Sequence, residues 1–171
     1  MMATMGLVSG DTPRQTAVAW AFVAVQGVLL GVVLLLPGGD DWAGPRRLDG
    51  AARALELVGA AVLVVGLVNL GRSLTALPTP VPHGELRTGG LYRLVRHPIY
   101  TGVMALTLGA AVRSANAWSL AAAVALALWF WAKARWEEER LAERYAGYAD
   151  YAATTPRFVP LWPGRPAPGA W

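Results

Sequence analysis

The chain has 171 residues, 55% of them hydrophobic and only 15% charged. Soluble domains carry about 25% charged and 45–50% apolar residues, so the balance argues against a water-soluble globule. One domain fills this length, without room for a second catalytic module. The absence of cysteine excludes disulfides, thiolate metal sites and a cysteine nucleophile.

Ala17 to Leu36 is a run of 20 uncharged residues, about 30 Å as a helix and so matched to a bilayer's hydrocarbon thickness. A signal peptide would have a shorter apolar core behind a basic start, and no small-x-small cleavage site follows before Pro37. The second apolar run, Leu57 to Gly71, reaches spanning length when extended back to Ala54. Glu56 then lies near the membrane edge, where it is expected to offset Arg53 on the same helix face. Leu77 to Pro82, with three prolines, predicts a non-helical hinge. From Pro98 to Ala132 the only charge is Arg113. A turn at Arg113–Asn116 divides this stretch into a short helix over 98–112 and a partner over 114–132. The proline-rich end, Pro160 to Trp171, reads as an extended tail.

The expected fold is therefore all-α, an integral membrane bundle of about four transmembrane helices (17–36, 54–71, 98–112, 114–132) with a cytoplasmic C-terminal helix, in a single domain over 1–171. Four spans place eleven Lys and Arg on the side of both termini and the middle loop, and four (Arg46, Arg47, Arg53, Arg113) on the other. The positive-inside rule puts the larger set, and both termini, in the cytoplasm, with the plasma (inner) membrane as the expected location. Trp20, Trp42, Trp118, Trp129, Trp131 and Trp136 fall at or near helix ends, as an aromatic belt would place them.

Two polar clusters fall on that basic side. The first runs from Gly89 to Gly102 and holds Tyr92, Arg93, Arg96, His97, Pro98 and Tyr100. Pro98 suits the first position of a helix, which makes His97 the N-cap and puts Tyr100 in the first turn. Free N–H groups and partial positive charge there, beside Arg93 and Arg96, suit a carboxylate or phosphate. The second cluster, Arg135 to Tyr145, is a charged helix continuing the last span, with Glu137, Glu138 and Glu139 in succession. Tyr145, Tyr148 and Tyr151 recur every three residues, a stripe expected to pack on the membrane surface, and Arg157 follows. The two histidines, His83 and His97, form no metal-ligand pattern, and no nucleic-acid module is present.

The run Leu91-Tyr-Arg-Leu-Val-Arg-His-Pro-Ile-Tyr-Thr-Gly102, then a helical hairpin, a Glu-Glu-x-x-Leu element and the closing Pro156-Arg-Phe-Val-Pro160 resemble the isoprenylcysteine carboxyl methyltransferase and phospholipid methyltransferase family of membrane enzymes. The resemblance covers about 75–161. It implies a methyltransferase that binds S-adenosylmethionine on the cytoplasmic side and takes a lipophilic acceptor from the bilayer, among membrane lipids and without metal or nucleic acid. Carried over, Tyr92, Arg96, His97, Pro98, Tyr100 and Gly102 are the cofactor-binding candidates, and Glu137, Glu138 and Arg157 the catalytic ones. Three consecutive glutamates leave open which two match the family's pair. The family's Phe-Gly before the tyrosines reads Tyr145-Ala146 here, a departure that bears on the acceptor.

An isoprenylcysteine-type carboxylate is the first acceptor to consider. Already anionic, it needs no base, and Arg157 would orient it. A lipid amine or a thiol would lose its proton to Glu137 or Glu138. Arg96, His97 and the helix N-terminus would hold the cofactor's carboxylate. Two other readings stand beside this one: an NADPH-dependent enzyme like the sterol reductases, which share a His-Pro-x-Tyr element, and a non-enzymatic four-helix membrane protein.

Overall fold

The computed structural model describes residues 13–42, 46–71 and 86–160. The hinge at Leu77–Pro82, His83 and the tail beyond Pro160 lie outside these described residues. The fold is an all-α membrane bundle: α1 (Pro13–Leu35), α2 (Arg46–Leu70), a 3-10 turn (Gly90–Arg93), α3 (Pro98–Ser114), α4 (Ala117–Arg144) and a short α5 (Tyr148–Thr154). Among the described residues α1, α2 and α4 are long and apolar enough to cross a membrane. The 17 residues of α3 give about 25 Å, short of a full crossing.

Pro98 starts α3 as expected, with its missing N–H at a position that has no intrahelical partner. The division between α3 and α4 falls later than 112–114. Ala115 adopts the left-handed conformation at φ 49° and closes α3, and the Asn116 carboxamide oxygen accepts from the N–H of Trp118 and Ser119 to cap α4. From this cap α4 runs 28 residues without a break, about 42 Å. It therefore carries its charged last turns beyond the thickness of a hydrocarbon core.

Glycines set the closest packing. A Cβ on Gly102 would lie 2.6 Å from the Leu63 nitrogen and 2.8 Å from the Gly59 carbonyl oxygen, and one on Gly109 would lie 2.6 Å from the Ala52 carbonyl oxygen. Gly66 approaches Pro98 and Ile99 in the same way. As residue numbers rise along α2 they fall along α3, so the two helices are antiparallel and nearly backbone to backbone, the contact that small residues permit in a membrane bundle. On its other flank α3 packs on α4, and α4 on α1. The core joins Val33 of α1, Ala111 of α3, and Ala122 and Ala123 of α4.

Glu56 pairs across helices and not with Arg53: its Oε1 accepts from Arg113 Nε at 2.9 Å. Close antiparallel packing brings the end of α3 to the start of α2, a neighbour the local sequence does not reveal. At the same end the α1–α2 connection wraps the α3–α4 turn, with Gly39 N–H bonded to the Ser114 carbonyl and Asp41 accepting from Ala117 N–H. The other end of the bundle gathers the 3-10 turn, the start of α3, the end of α4 and α5. Of the expected belt, Trp20, Trp118 and Trp131 are exposed. Trp42 and Trp129 instead donate to the Val112 and Phe22 carbonyls, and Trp136 packs on the Phe22 ring.

Candidate functional site

At this second end Glu138 of α4 is the hub. Its Oε1 accepts from Arg96 Nε at 3.0 Å, from His97 Nε2 at 3.0 Å and from Arg157 Nε at 2.9 Å. Its Oε2 accepts from Arg96 Nη2 at 3.3 Å and Arg157 Nη2 at 2.6 Å. A carboxylate is acceptor-only, so His97 carries its proton on Nε2 toward Glu138. The side chains are 7% exposed for His97 and 12% for both Arg96 and Glu138. Such a network holds only while every charge has its partner.

One residue earlier, Glu137 meets different groups. Tyr100 Oη donates to its Oε2 at 2.8 Å, and His97 Nδ1 lies 3.7 Å from the same oxygen. The Tyr100 ring stacks on His97 at 5.1 Å and on the fully buried Phe130 at 4.7 Å. Glu137 Oε1 takes no hydrogen bond among the described residues, and the side chain is 24% exposed. Glu139, the third of the run, points outward and is exposed.

The C-terminal segment closes over the start of α3. Arg96 Nη1 donates to the carbonyls of Ala152 and Thr155, both at 2.7 Å. The backbone N–H groups of Arg96 and His97 donate to the carbonyls of Pro156 and Arg157, and Thr101 Oγ1 donates to that of Phe158. This strap presents Arg157 to Glu138, and the pairing raises the guanidinium's affinity for its proton. Three separate stretches of sequence thus meet through one carboxylate.

Tyr148 and Tyr151 turn inward, not onto a membrane surface. A break at Tyr145–Gly147 starts α5 anew, which ends the three-residue stripe. It buries Tyr148 and lets Tyr151 Oη donate to the Tyr92 carbonyl at 2.6 Å. Burial pushes the Tyr92 and Tyr148 phenols above their ordinary range and Tyr151 up to about 12. Tyr148 Oη is buried with no hydrogen-bond partner among the described residues, beside Arg96, Glu138 and Glu137. Nearby, a cleft of about 380 Å³ is lined by Asn69, Leu86, Arg87, Thr88, Gly89 and Gly90. Gly90 is left-handed at φ 60° and lies against the Asn69 carboxamide, where a side chain has no room.

Of the residues singled out from sequence, Arg96, His97, Tyr100, Glu137, Glu138 and Arg157 converge directly. Tyr92 joins through Tyr151, while Pro98 and Gly102 lie on the α2-facing side of α3, against Gly66 and Leu63. Tyr148, Tyr151, Phe130 and Thr101 are additions from the structure. So is Lys133, 3% exposed, which donates to Gln26 Oε1 at 2.8 Å and lies 5.3 Å from the Tyr100 ring centroid. A single polar residue inside an apolar run was the available signal for Gln26; Lys133 stands directly after its run, at the start of the charged stretch.

The family model described as phospholipid methyltransferase matches residues 51–147. The chain is similar to the cobalt-zinc-cadmium resistance protein CzcN of Cupriavidus metallidurans, 34% identical over 68% of this chain and 55% of that protein. It is also similar to the protein-S-isoprenylcysteine O-methyltransferases A and B of Arabidopsis thaliana, 34% and 32% identical over 61% of this chain and 55% of each. The chain spans about half the length of these curated relatives.

Proposed function

Since the chain belongs to the phospholipid methyltransferase family, we propose that it transfers a methyl group from S-adenosylmethionine to a lipophilic acceptor at the cytoplasmic face of the plasma (inner) membrane. An isoprenylcysteine-type carboxylate is the first candidate; a lipid amine or a thiol follows. The observation that carries the reading is the convergence of Arg96, His97 and Tyr100 on the pair Glu137 and Glu138. The similarity to two isoprenylcysteine O-methyltransferases supports it.

The residues fit the cofactor. Glu137 Oε1 is open to an ammonium or a ribose hydroxyl, and the buried Tyr148 hydroxyl beside Arg96 and Glu138 is an orphan that a ligand group would satisfy. When bound, S-adenosylmethionine supplies a methyl group on a positively charged sulfur. The chain's part is to align, to exclude water and to set charge. Glu138, committed to two guanidiniums and an imidazole, acts as the organiser that fixes His97 and Arg157. Glu137, with one oxygen unclaimed, is the carboxylate left to accept a proton if the acceptor is a thiol or amine. Arg157, 26% exposed, would orient an acceptor carboxylate through the guanidinium N–H groups that Glu138 does not take.

The bacterial relative's name speaks of resistance to cobalt, zinc and cadmium. Among the described residues no group of three His, Asp or Glu side chains is arranged to hold a metal ion. Titration calorimetry of the detergent-purified chain with S-adenosylmethionine tests the reading, alongside His97→Ala and NADPH. Binding lost in the variant, followed by labelled methyl appearing in a prenylated acceptor, supports it. Binding of NADPH alone would replace it with a reductase.

A further inference from the structure

Val124, Leu128, Trp131 and Arg135 follow one another along α4 at spacings of four, three and four, and all are exposed, so they form a single stripe on one helix face. The other faces are taken: Trp129, Lys133 and Trp136 meet Phe22 and Gln26 of α1, and Phe130 and Glu137 meet Tyr100 of α3. The stripe therefore turns away from the bundle, toward lipid. Its polar end stands at a defined depth. Phe22 lies 5.0 Å from the Trp129 ring and 5.7 Å from that of Trp136, and it is five residues inside the uncharged run that starts at Ala17, about 7 Å within the apolar stretch.

Arg135 is thus a charge on a lipid-facing surface, and among the described residues no carboxylate pairs with it. Glu139 follows one turn later, the usual place for an ion pair on a helix. The guanidinium leans the other way, 4.9 Å over the Trp131 ring, in the direction that carries it back toward the hydrocarbon. An arginine at a membrane edge ordinarily extends toward water. Held flat on an aromatic face, a guanidinium keeps its N–H groups for an anion, and its planar fork matches a phosphate.

We propose that Arg135, braced on Trp131, binds the phosphodiester of an anionic phospholipid whose acyl chains lie along Leu128 and Val124. Charge decides the headgroup. A zwitterionic lipid brings its own ammonium to compete for the phosphate, whereas a phosphatidylglycerol-type lipid carries no cation. The bound phosphate neutralises a charge that otherwise stands bare beside the hydrocarbon. Glu137 and Glu138 follow Arg135 by two and three residues, so this anchor fixes the level at which the carboxylate pair stands in the leaflet. The inference is independent of the methyl-transfer reading, because it concerns the outer face of α4 and not the site between α3 and α4.

The test is native mass spectrometry of the full chain in detergent, stripped of lipid and titrated with phosphatidylglycerol and phosphatidylcholine of the same acyl chains. The wild type should hold one phosphatidylglycerol at least about fivefold more tightly than phosphatidylcholine. Arg135→Gln should bring that ratio to about one, and Trp131→Leu should lower it by at least about twofold, the worth of an exposed cation–aromatic contact. Trp118→Leu, at the exposed tryptophan near the opposite end of α4, should leave it unchanged. All three positions are exposed, so matched thermal unfolding of the variants keeps a folding defect apart from a lost lipid. Equal binding of the two lipids by the wild type, an undiminished preference in Arg135→Gln or Trp131→Leu, or an equal loss in Trp118→Leu overturns the proposal. Release of the lipid by equimolar inorganic phosphate overturns it as well, since a free anion would then suffice.

Discussion

Arg157 and Glu138 meet as a fork, with Nε 2.9 Å from Oε1 and Nη2 2.6 Å from Oε2. This pair ties the strap after α5 to the end of α4, and the same carboxylate anchors Arg96 and His97. Replacing Glu138 with Gln would leave two largely buried guanidiniums without their anion, a change that costs about 3 kcal/mol or more. Thermal unfolding in detergent should therefore fall for Glu138→Gln, together with loss of S-adenosylmethionine binding. Glu139→Gln, on the exposed side of the helix, should stay within about 0.5 kcal/mol of wild type. Equal melting of the two variants would show that the hub does not hold this end together.

Tyr100→Phe keeps the ring between His97 and Phe130 and deletes only the hydroxyl donated to Glu137. The fold should persist, because stacking and burial survive. Methyl transfer should fall roughly tenfold to a hundredfold, the worth of a hydrogen bond to a charged group. Single-turnover assays with labelled donor measure it, and an unchanged rate would remove Tyr100 from the working site.

The α2–α3 contact predicts that Gly102→Ala lowers stability by about 1–3 kcal/mol, since overpacking forces a backbone shift. Its Cβ would meet the Leu63 nitrogen and the Gly59 carbonyl, whereas a Cβ on Gly27 meets nothing within 4 Å among the described residues. Gly27→Ala should be neutral or stabilising by up to about 1 kcal/mol. Parallel melting curves of the two alanine variants check the contrast.

Alkaline pH should loosen the site end before the rest of the bundle. Burial raises Tyr92 and Tyr148 above the ordinary phenol range and Tyr151 to about 12, while an unfolded tyrosine titrates near 10. A folded value above the unfolded one contributes stability that is complete below about pH 10 and is lost as pH rises toward 12. Stability measured from pH 9 to 12 should decline in that window. Tyr151→Phe should flatten the decline, and an identical slope in the variant would assign it to other groups.

The hydropathy of 17–36 and 54–71, the proline at the start of α3 and the order of Arg-His-Pro-x-Tyr, diglutamate and Arg157 determined the helical class, two of the three helices long enough to cross a membrane and the candidate residues that meet at one end of the bundle. These are features of composition and short spacing, which a sequence states directly. Only the tertiary structure decided what each side chain faces. Glu56 meets Arg113 and not Arg53 because α2 and α3 pack through glycines. Tyr148 and Tyr151 turn inward because the chain breaks at Tyr145–Gly147 and folds back on the 3-10 turn. Among the three glutamates, Glu137 and Glu138 enter the site because the α3 start and the strap press on that face of α4, leaving Glu139 outside. Lys133 and Gln26, 107 residues apart, become partners by the packing of α1 on α4. Contacts between distant segments depend on how helices seat against one another, a property of the assembled bundle that no local spacing encodes.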